Sequence, residues 1–254
     1  MNDNLENLYF AIEKSLIEAS GRPNEEIKRE IEGWNYEECL PTDQAYFQAL
    51  VTAIFHGSGI KATQLEPVLK KMFYETVFTD FHKVISLSDT EKKELYDKQN
   101  IGYKKSLNNA FKSSVIFIKL VKQKGSFQKY LDSFAKTNLL KADLRRNFAG
   151  IGPKSSLHFL MMCGYPTIKP DRVIGRIFNR LGLVENPNDL AKICAVGDEI
   201  AKKTGFNHKR IDIVLVKYGA EGFSEIFGLT DGVCSETAPK CDRCYALPYC
   251  NYPT

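Results

Sequence analysis

Residues 234–250 read CSETAPKCDRCYALPYC and hold four of the chain's seven cysteines. Cys234, Cys241, Cys244 and Cys250 are spaced C-x6-C-x2-C-x5-C. Thiolates gathered this densely select zinc or an iron–sulfur cluster. A zinc ribbon usually presents two C-x2-C knuckles separated by about a dozen residues or more. Here one knuckle has a single cysteine close on either side. That spacing favours a compact loop around a [4Fe–4S] cubane, one thiolate per iron. Zinc and, further behind, a disulfide pair stay open on spacing alone. The chain's start carries acids early and no small-residue cleavage site, so no secretory signal is expected. The compartment expected is the cytoplasm, where clustered thiols bind metal more often than they pair.

A second constellation lies upstream. Residues 144–171 read LRRNFAGIGPKSSLHFLMMCGYPTIKPD. A helix should end near Phe148, Gly150-Ile151-Gly152 should turn tightly, and Pro153 should open the next helix. Glycines let a backbone come close to a phosphate, and N–H groups at a helix start point at an anion. Such a hairpin holds a nucleic-acid backbone without reading its sequence. A plain αα-hairpin needs glycine too, so the turn alone does not decide. Asp171 precedes an apolar-periodic stretch, where an N-cap aspartate is common.

The elements that must position these residues are helices. Leu5, Leu8, Ile12, Leu16 and Ile17 repeat at threes and fours, as do Phe47, Leu50, Val51, Ile54 and Phe55. Thr42 or Asp43 is a candidate cap for the latter. Further helices are expected over 63–74, 89–97, 104–124, 126–135, 141–148, 154–163, 172–181, 188–204 and 208–218. The run Val115–Ile118 is strand-like, but its neighbours Leu107, Phe111, Leu120 and Val121 continue a helical period. No strand alternation is legible, so the fold class expected is all-α. The composition, 43% hydrophobic and 26% charged, is that of a folded globular protein. No apolar run is long enough to span a bilayer. Residues 101–160 carry twelve Lys and Arg against two acids. Such a stretch suits a polyanion, or is a set of solvated helix faces.

The cysteine loop closely resembles the C-terminal cluster loop of the endonuclease III family of DNA glycosylases. Residues 148–171 resemble that family's hairpin and catalytic segment. The resemblance covers most of 43–250. It implies a largely structural [4Fe–4S] cluster on Cys234, Cys241, Cys244 and Cys250. Lys240 and Arg243, between the ligands, would meet DNA phosphates. The family's leucine-proline lead is Phe148-Ala149 here, while Gly150-Ile151-Gly152 is intact as the DNA-binding turn. Lys154 matches the lysine that attacks the sugar C1′ in members with lyase activity. Asp171 matches the aspartate that stabilises positive charge on the sugar as the base leaves. From Lys154 to Asp171 is 17 residues, one fewer than the resemblance implies, with the shortening expected at 162–164. SSLHFL resembles archaeal-type 8-oxoguanine glycosylases.

The family's gap-filling loop corresponds to FHGSGIKATQ, where Ser58 stands near a position often held by glutamine and His56 is a further candidate. FQALVTAIF has no acid, which argues against adenine excision. IGYKKS resembles a turn near DNA, with Lys104 and Lys105 as phosphate contacts. Trp34, Cys39, Cys163 and Cys194 read as packing residues, as do Tyr165 and Phe206. The architecture implied is two helical domains with an active-site cleft between them. One is residues 44–165 with the hairpin at 144–163; the other is 1–43 plus 166–254 with the cluster loop. The activity implied is base excision from lesion-bearing duplex DNA by a monomer, with β-elimination if Lys154 is a nucleophile. A non-catalytic DNA-binding protein and a zinc-stabilised regulator are the alternatives.

Overall fold

The computed structural model describes residues 4–35, 39–60, 62–97 and 103–252. The chain divides into two compact units, 38–163 and 1–37 with 164–254. Ile101 and Gly102 of IGYKKS and Lys61 of FHGSGIKATQ lie outside the described residues.

The unit 38–163 is helical. It runs α3 (Asp43–His56), α4 (Ala62–Glu75), α5 (Phe81–Ile85), α6 (Asp89–Asp97), α7 (Lys104–Lys124), α8 (Phe127–Asp132), α9 (Thr137–Asn147) and α10 (Pro153–Met162). Thr42 caps α3 by accepting from the Ala45 N–H. Its core is aromatic. Phe47 meets Phe78, Phe81 and Phe117, and Phe117 stacks on Phe127 at 4.3 Å. The strand-like run of residues 115–118 lies inside α7, as the longer period required. That helix buries Leu107, Ala110, Phe111, Phe117 and Ile118 and ends at Gly125 in the left-handed region. Lys104, Lys105, Lys112, Lys119, Lys122 and Lys124 stay exposed along it.

The other unit holds α1 (Leu5–Ala19), α2 (Asn24–Gly33), α11 (Arg172–Arg180), α12 (Leu190–Thr204) and α13 (His208–Gly219). An antiparallel hairpin, β1 (Glu221–Ser224) and β2 (Leu229–Asp231), follows them, and short 3₁₀ turns lie at Cys241–Arg243 and Leu247–Tyr249. The hairpin was not legible in sequence, because strands this short show no alternation. It is held by Phe227, whose carbonyl accepts from Ser20 Oγ and Gly21 N and whose ring packs on Trp34. Helices α2 and α5 were also unread: α2 is mostly charged, with Ile27 and Ile31 its buried residues, and α5 is a short turn capped by Asp80. Among the described residues no helix is long and apolar enough to cross a membrane.

Helix α11 is wedged tightly. Ile174, Ile177 and Phe178 are fully buried. A Cβ at Gly175 would run into the Pro187 carbonyl, so backbone lies against backbone there. We therefore expect Gly175→Ala to cost about 1–3 kcal/mol through overpacking. Denaturant melts check this, and an unchanged midpoint would contradict the contact.

Candidate functional site

The two halves of the expected site are described unit by unit. In 38–163, α9 ends at Asn147 and α10 opens on Pro153. Gly150 has φ +82, and a Cβ there would meet the side chains of Asn109 and Ile54. The fold itself thus demands that glycine. Gly152 is different: its φ is −104, and a Cβ would meet nothing nearer than Ser155 Oγ at 3.9 Å. Among the described residues nothing requires glycine there, which leaves room for an outside group. The Ile151 N–H donates to the Phe148 carbonyl, and the Gly152 N–H to Ser155 Oγ at 2.7 Å. The donors left for an anion are the helix-head N–H groups of Lys154 and Ser155, which have no carbonyl one turn back. The Ile151 side chain is buried, and Lys154 is exposed.

Two further predicted segments gather beside this turn. Gly57 lies against it, with a Cβ there 3.5 Å from the Gly150 carbonyl. His56 and His158 meet edge to face at 5.1 Å. Ser58 is exposed, its hydroxyl donating to the Phe55 carbonyl. The Phe55 ring in turn meets Tyr103, which has φ +60 and leads into Lys104 and Lys105. A non-glycine residue in that region costs on the order of 1 kcal/mol or more. The unit thus brings Ser58, Gly150–Gly152, Lys154 and Lys104 to neighbouring loops.

In the other unit, α10's end gives way to Gly164 in the left-handed region, and the chain runs to Asp171. Asp171 caps α11: its Oδ1 accepts from Val173 N at 2.9 Å and Ile174 N at 3.1 Å. Its Oδ2 lies 3.7 Å from Lys169 Nζ. Lys169's own N–H donates to Asp212 Oδ1 at 2.6 Å. Asp212 is buried on α13. Burial, and next the negative charge of Asp171, push its carboxyl up to about 7 against the opposing pull of Lys169. Sequence reasoning missed Lys169 and Asp212. An acid inside the apolar run IDIVLVKYG was the available signal.

The four cysteines line one small cavity of about 20 Å³ with Arg180, Tyr218 and Tyr252. No two of the seven cysteines are joined in a disulfide. Among the described residues no three His, Cys, Asp or Glu side chains converge to hold a single metal ion. Arg180 donates to Cys234 Sγ at 3.3 Å and to the carbonyls of Ser235 and Glu236. Tyr218 Oη lies 3.0 Å from Cys244 Sγ. Lys240 is engaged inside the chain, its Nζ donating to the Asp231 carbonyl, whereas Arg243 is exposed beside Asp242. Of the expected packing residues, Cys163 is buried and Phe206 packs on Tyr9 and Phe10, but Cys39 is exposed. Cys39 lies between α2 and α3, outside either helix.

No family model and no curated protein matches the chain. Solved structures do. An 8-oxoguanine glycosylase/lyase of Methanocaldococcus jannaschii, bound to 15mer DNA containing 8-oxoguanine, matches with TM-score 0.56 at 16% identity. The alignment covers 80% of this chain and 94% of that one. The chain shares that structure's fold. The 8-oxoguanine DNA glycosylase of Thermotoga maritima shares it, with TM-score 0.57, 19% identity and coverage of 83% and 95%. So does endonuclease III in a trapped covalent intermediate with DNA, with TM-score 0.56, 18% identity and coverage of 89% and 92%. Within this glycosylase fold, Asp171 stands at the head of α11 and Lys154 at the head of α10.

The buried carboxyl gives a pH prediction. An unfolded aspartate titrates near about 3.9. Folded Asp212 keeps its proton up to about 7. Its stabilising contribution is whole below the unfolded value and is lost as pH rises through the folded one. Asp212→Asn should therefore gain on the wild type as pH rises from about 4 to about 7, by on the order of a few kcal/mol, and then level off. Urea melts across that range check it. A difference that does not vary with pH would contradict it.

Proposed function

We propose that the chain is a base-excision DNA glycosylase that flips a damaged or modified base from duplex DNA and releases it. The observation that carries this reading is Asp171. Its Oδ1 is committed to the α11 cap and its Oδ2 is directed to a cation, Lys169, on a fold whose solved examples include glycosylases bound to DNA. When the C1′–N bond breaks, its electron pair leaves with the base and positive charge develops on the sugar. A fixed carboxylate stabilises that charge and can take the proton of the attacking water. The room beside Gly152 and the helix-head donors of Lys154 and Ser155 support phosphate binding at the hairpin. The exposed lysines of α7 add a salt-sensitive, sequence-independent attraction.

Lys154 has two roles open to it. As a nucleophile, its amine would displace the base at C1′, the electron pair of the C1′–N bond leaving with the base; loss of the amine proton and opening of the C1′–O4′ bond would give a Schiff base, and removal of a 2′ proton would expel the 3′ phosphate. Its exposure favours the second role, a phosphate contact in a purely hydrolytic enzyme, since nucleophilic lysines sit in dry pockets. Borohydride decides between them. A reduced covalent DNA adduct lost in Lys154→Ala assigns the nucleophile; no adduct on a substrate that is turned over assigns the phosphate contact.

Cys234, Cys241, Cys244 and Cys250 would hold a [4Fe–4S] cluster. Four thiols lining one cavity, with a single C-x2-C knuckle, fit a cluster with one thiolate per iron. The Arg180 and Tyr218 contacts to sulfur supply outer-shell support of the kind such clusters use. The cluster would cross-link a loop with little regular structure. Protein purified without air should be brown and absorb near ~400 nm. A colourless protein carrying one equivalent of zinc would contradict this.

Asp171→Asn should keep the cap oxygen and DNA affinity while slowing base release by roughly two orders of magnitude or more. Single-turnover release against affinity for the same duplex separates the two. Near-normal release in Asp171→Asn would remove Asp171 from the chemistry.

A further inference from the structure

The reaction outlined above uses Asp171 but leaves Asp212 unexplained. A carboxyl on the buried face of a helix is costly unless something holds it there. Asp212 is 4% exposed, among Ile211, Val214 and Leu215, which are fully buried. Its hydrogen-bond donor is the Lys169 backbone N–H at 2.6 Å, two residues ahead of Asp171. The turn continues at once, because the Asp171 N–H donates to the Lys169 carbonyl at 2.7 Å. Lys169 then returns its ammonium to Asp171 Oδ2 at 3.7 Å. One peptide unit of Lys169 is thus held from α13 while its carbonyl and side chain hold Asp171.

We infer that Asp212 is a positioning residue for the Asp171 carboxylate, acting through the backbone of Lys169. The inference rests on the glycosylase reading for what Asp171 does, and on α13 alone for how it is held. Several other charges on the packed elements are engaged elsewhere. Glu13 of α1 pairs with Arg210, Asp198 of α12 with His208, and Arg176 of α11 with Glu236 and the Gly219 carbonyl. On α2, Lys28 pairs with Glu25. The charges that face Asp212 are those of Asp171 and Lys169. A carboxyl oxygen of Asp212 accepts from the Lys169 N–H whether or not Asp212 carries its proton, so the clamp does not depend on that proton.

Two readouts test this. The first is affinity for duplexes with a cyclic-amine abasic analogue, which is cationic, against the neutral tetrahydrofuran analogue. Wild type should prefer the amine by about tenfold or more, as a fixed carboxylate would. Asp212→Leu should lose most of that preference with tetrahydrofuran affinity unchanged, and Asp212→Asn, which keeps the acceptor, should retain it. The second is amide hydrogen exchange at Lys169, which should quicken in Asp212→Leu and not in Asp212→Asn. Full preference in Asp212→Leu, or equal loss in Asp212→Asn, overturns the positioning role. If Asp212→Leu does not fold, Asp212→Ala, which also removes the acceptor, takes its place in both readouts, with the same result expected and the same result overturning the role. If wild type shows no preference for the amine and Asp171→Asn changes nothing, the glycosylase reading fails instead. The exchange rate at Lys169 then decides the clamp: faster in Asp212→Leu upholds it, unchanged overturns it.

Discussion

The guanidinium of Arg180 is the contact on which the rest of the unit depends. It is buried, and it donates to Cys234 Sγ and to the carbonyls of Ser235 and Glu236, while Tyr252 lies 4.1 Å across its face. An unpaired guanidinium there would be expensive, so the loop that satisfies it must stay in place. The reverse also holds. Residues 234–250 contain only short 3₁₀ turns, and such a stretch has little to order it except fixed partners. Arg176 adds a second anchor, donating to the Cys234 and Gly219 carbonyls. Both arginines belong to α11, whose first turn is capped by Asp171. One nine-residue helix therefore carries the candidate catalytic carboxylate at its head and the seat of the cysteine loop at its tail.

This arrangement explains why α11 is packed so closely. Gly175 admits the Pro187 carbonyl on one side, and Gly219 of α13 admits Ile177 and Val173 on another. A helix held by backbone contact and by buried arginines cannot shift without breaking several contacts together. The carboxylate at its head inherits that fixity. A carboxylate that needs no reorganisation as charge develops is what electrostatic stabilisation of a transition state demands. The other unit supplies a different quality: an open glycine and uncommitted helix-head donors, suited to an anion that comes and goes.

Much of this was legible in sequence because it rests on local rules. Helix α7 follows its period from Lys104 to Lys124, and Pro153 and Gly164 mark the limits of α10 as proline and glycine do. The cysteine spacing and the Asp171 cap are likewise local patterns. What escaped was set by tertiary structure. The β1–β2 hairpin exists because Phe227 finds Trp34 and the Ser20–Gly21 turn far away in sequence. The Ile151 and Gly152 N–H groups go to the Phe148 carbonyl and Ser155 Oγ, and Lys240 Nζ to the Asp231 carbonyl, partners that no motif announces. Asp212 meets Lys169 only when α13 folds beside α11.

The central claim is that a fixed carboxylate and a phosphate-holding hairpin together release a base. The most direct measurement is cleavage of end-labelled duplexes, each with one lesion or modified base, read with and without hot alkali. The account predicts a band at the lesion for at least one duplex after alkali, lost in Asp171→Asn. A band without alkali would add strand cleavage to base release. Silence across oxidised, alkylated, deaminated and mismatched bases, in protein that binds the same duplexes tightly, would contradict it.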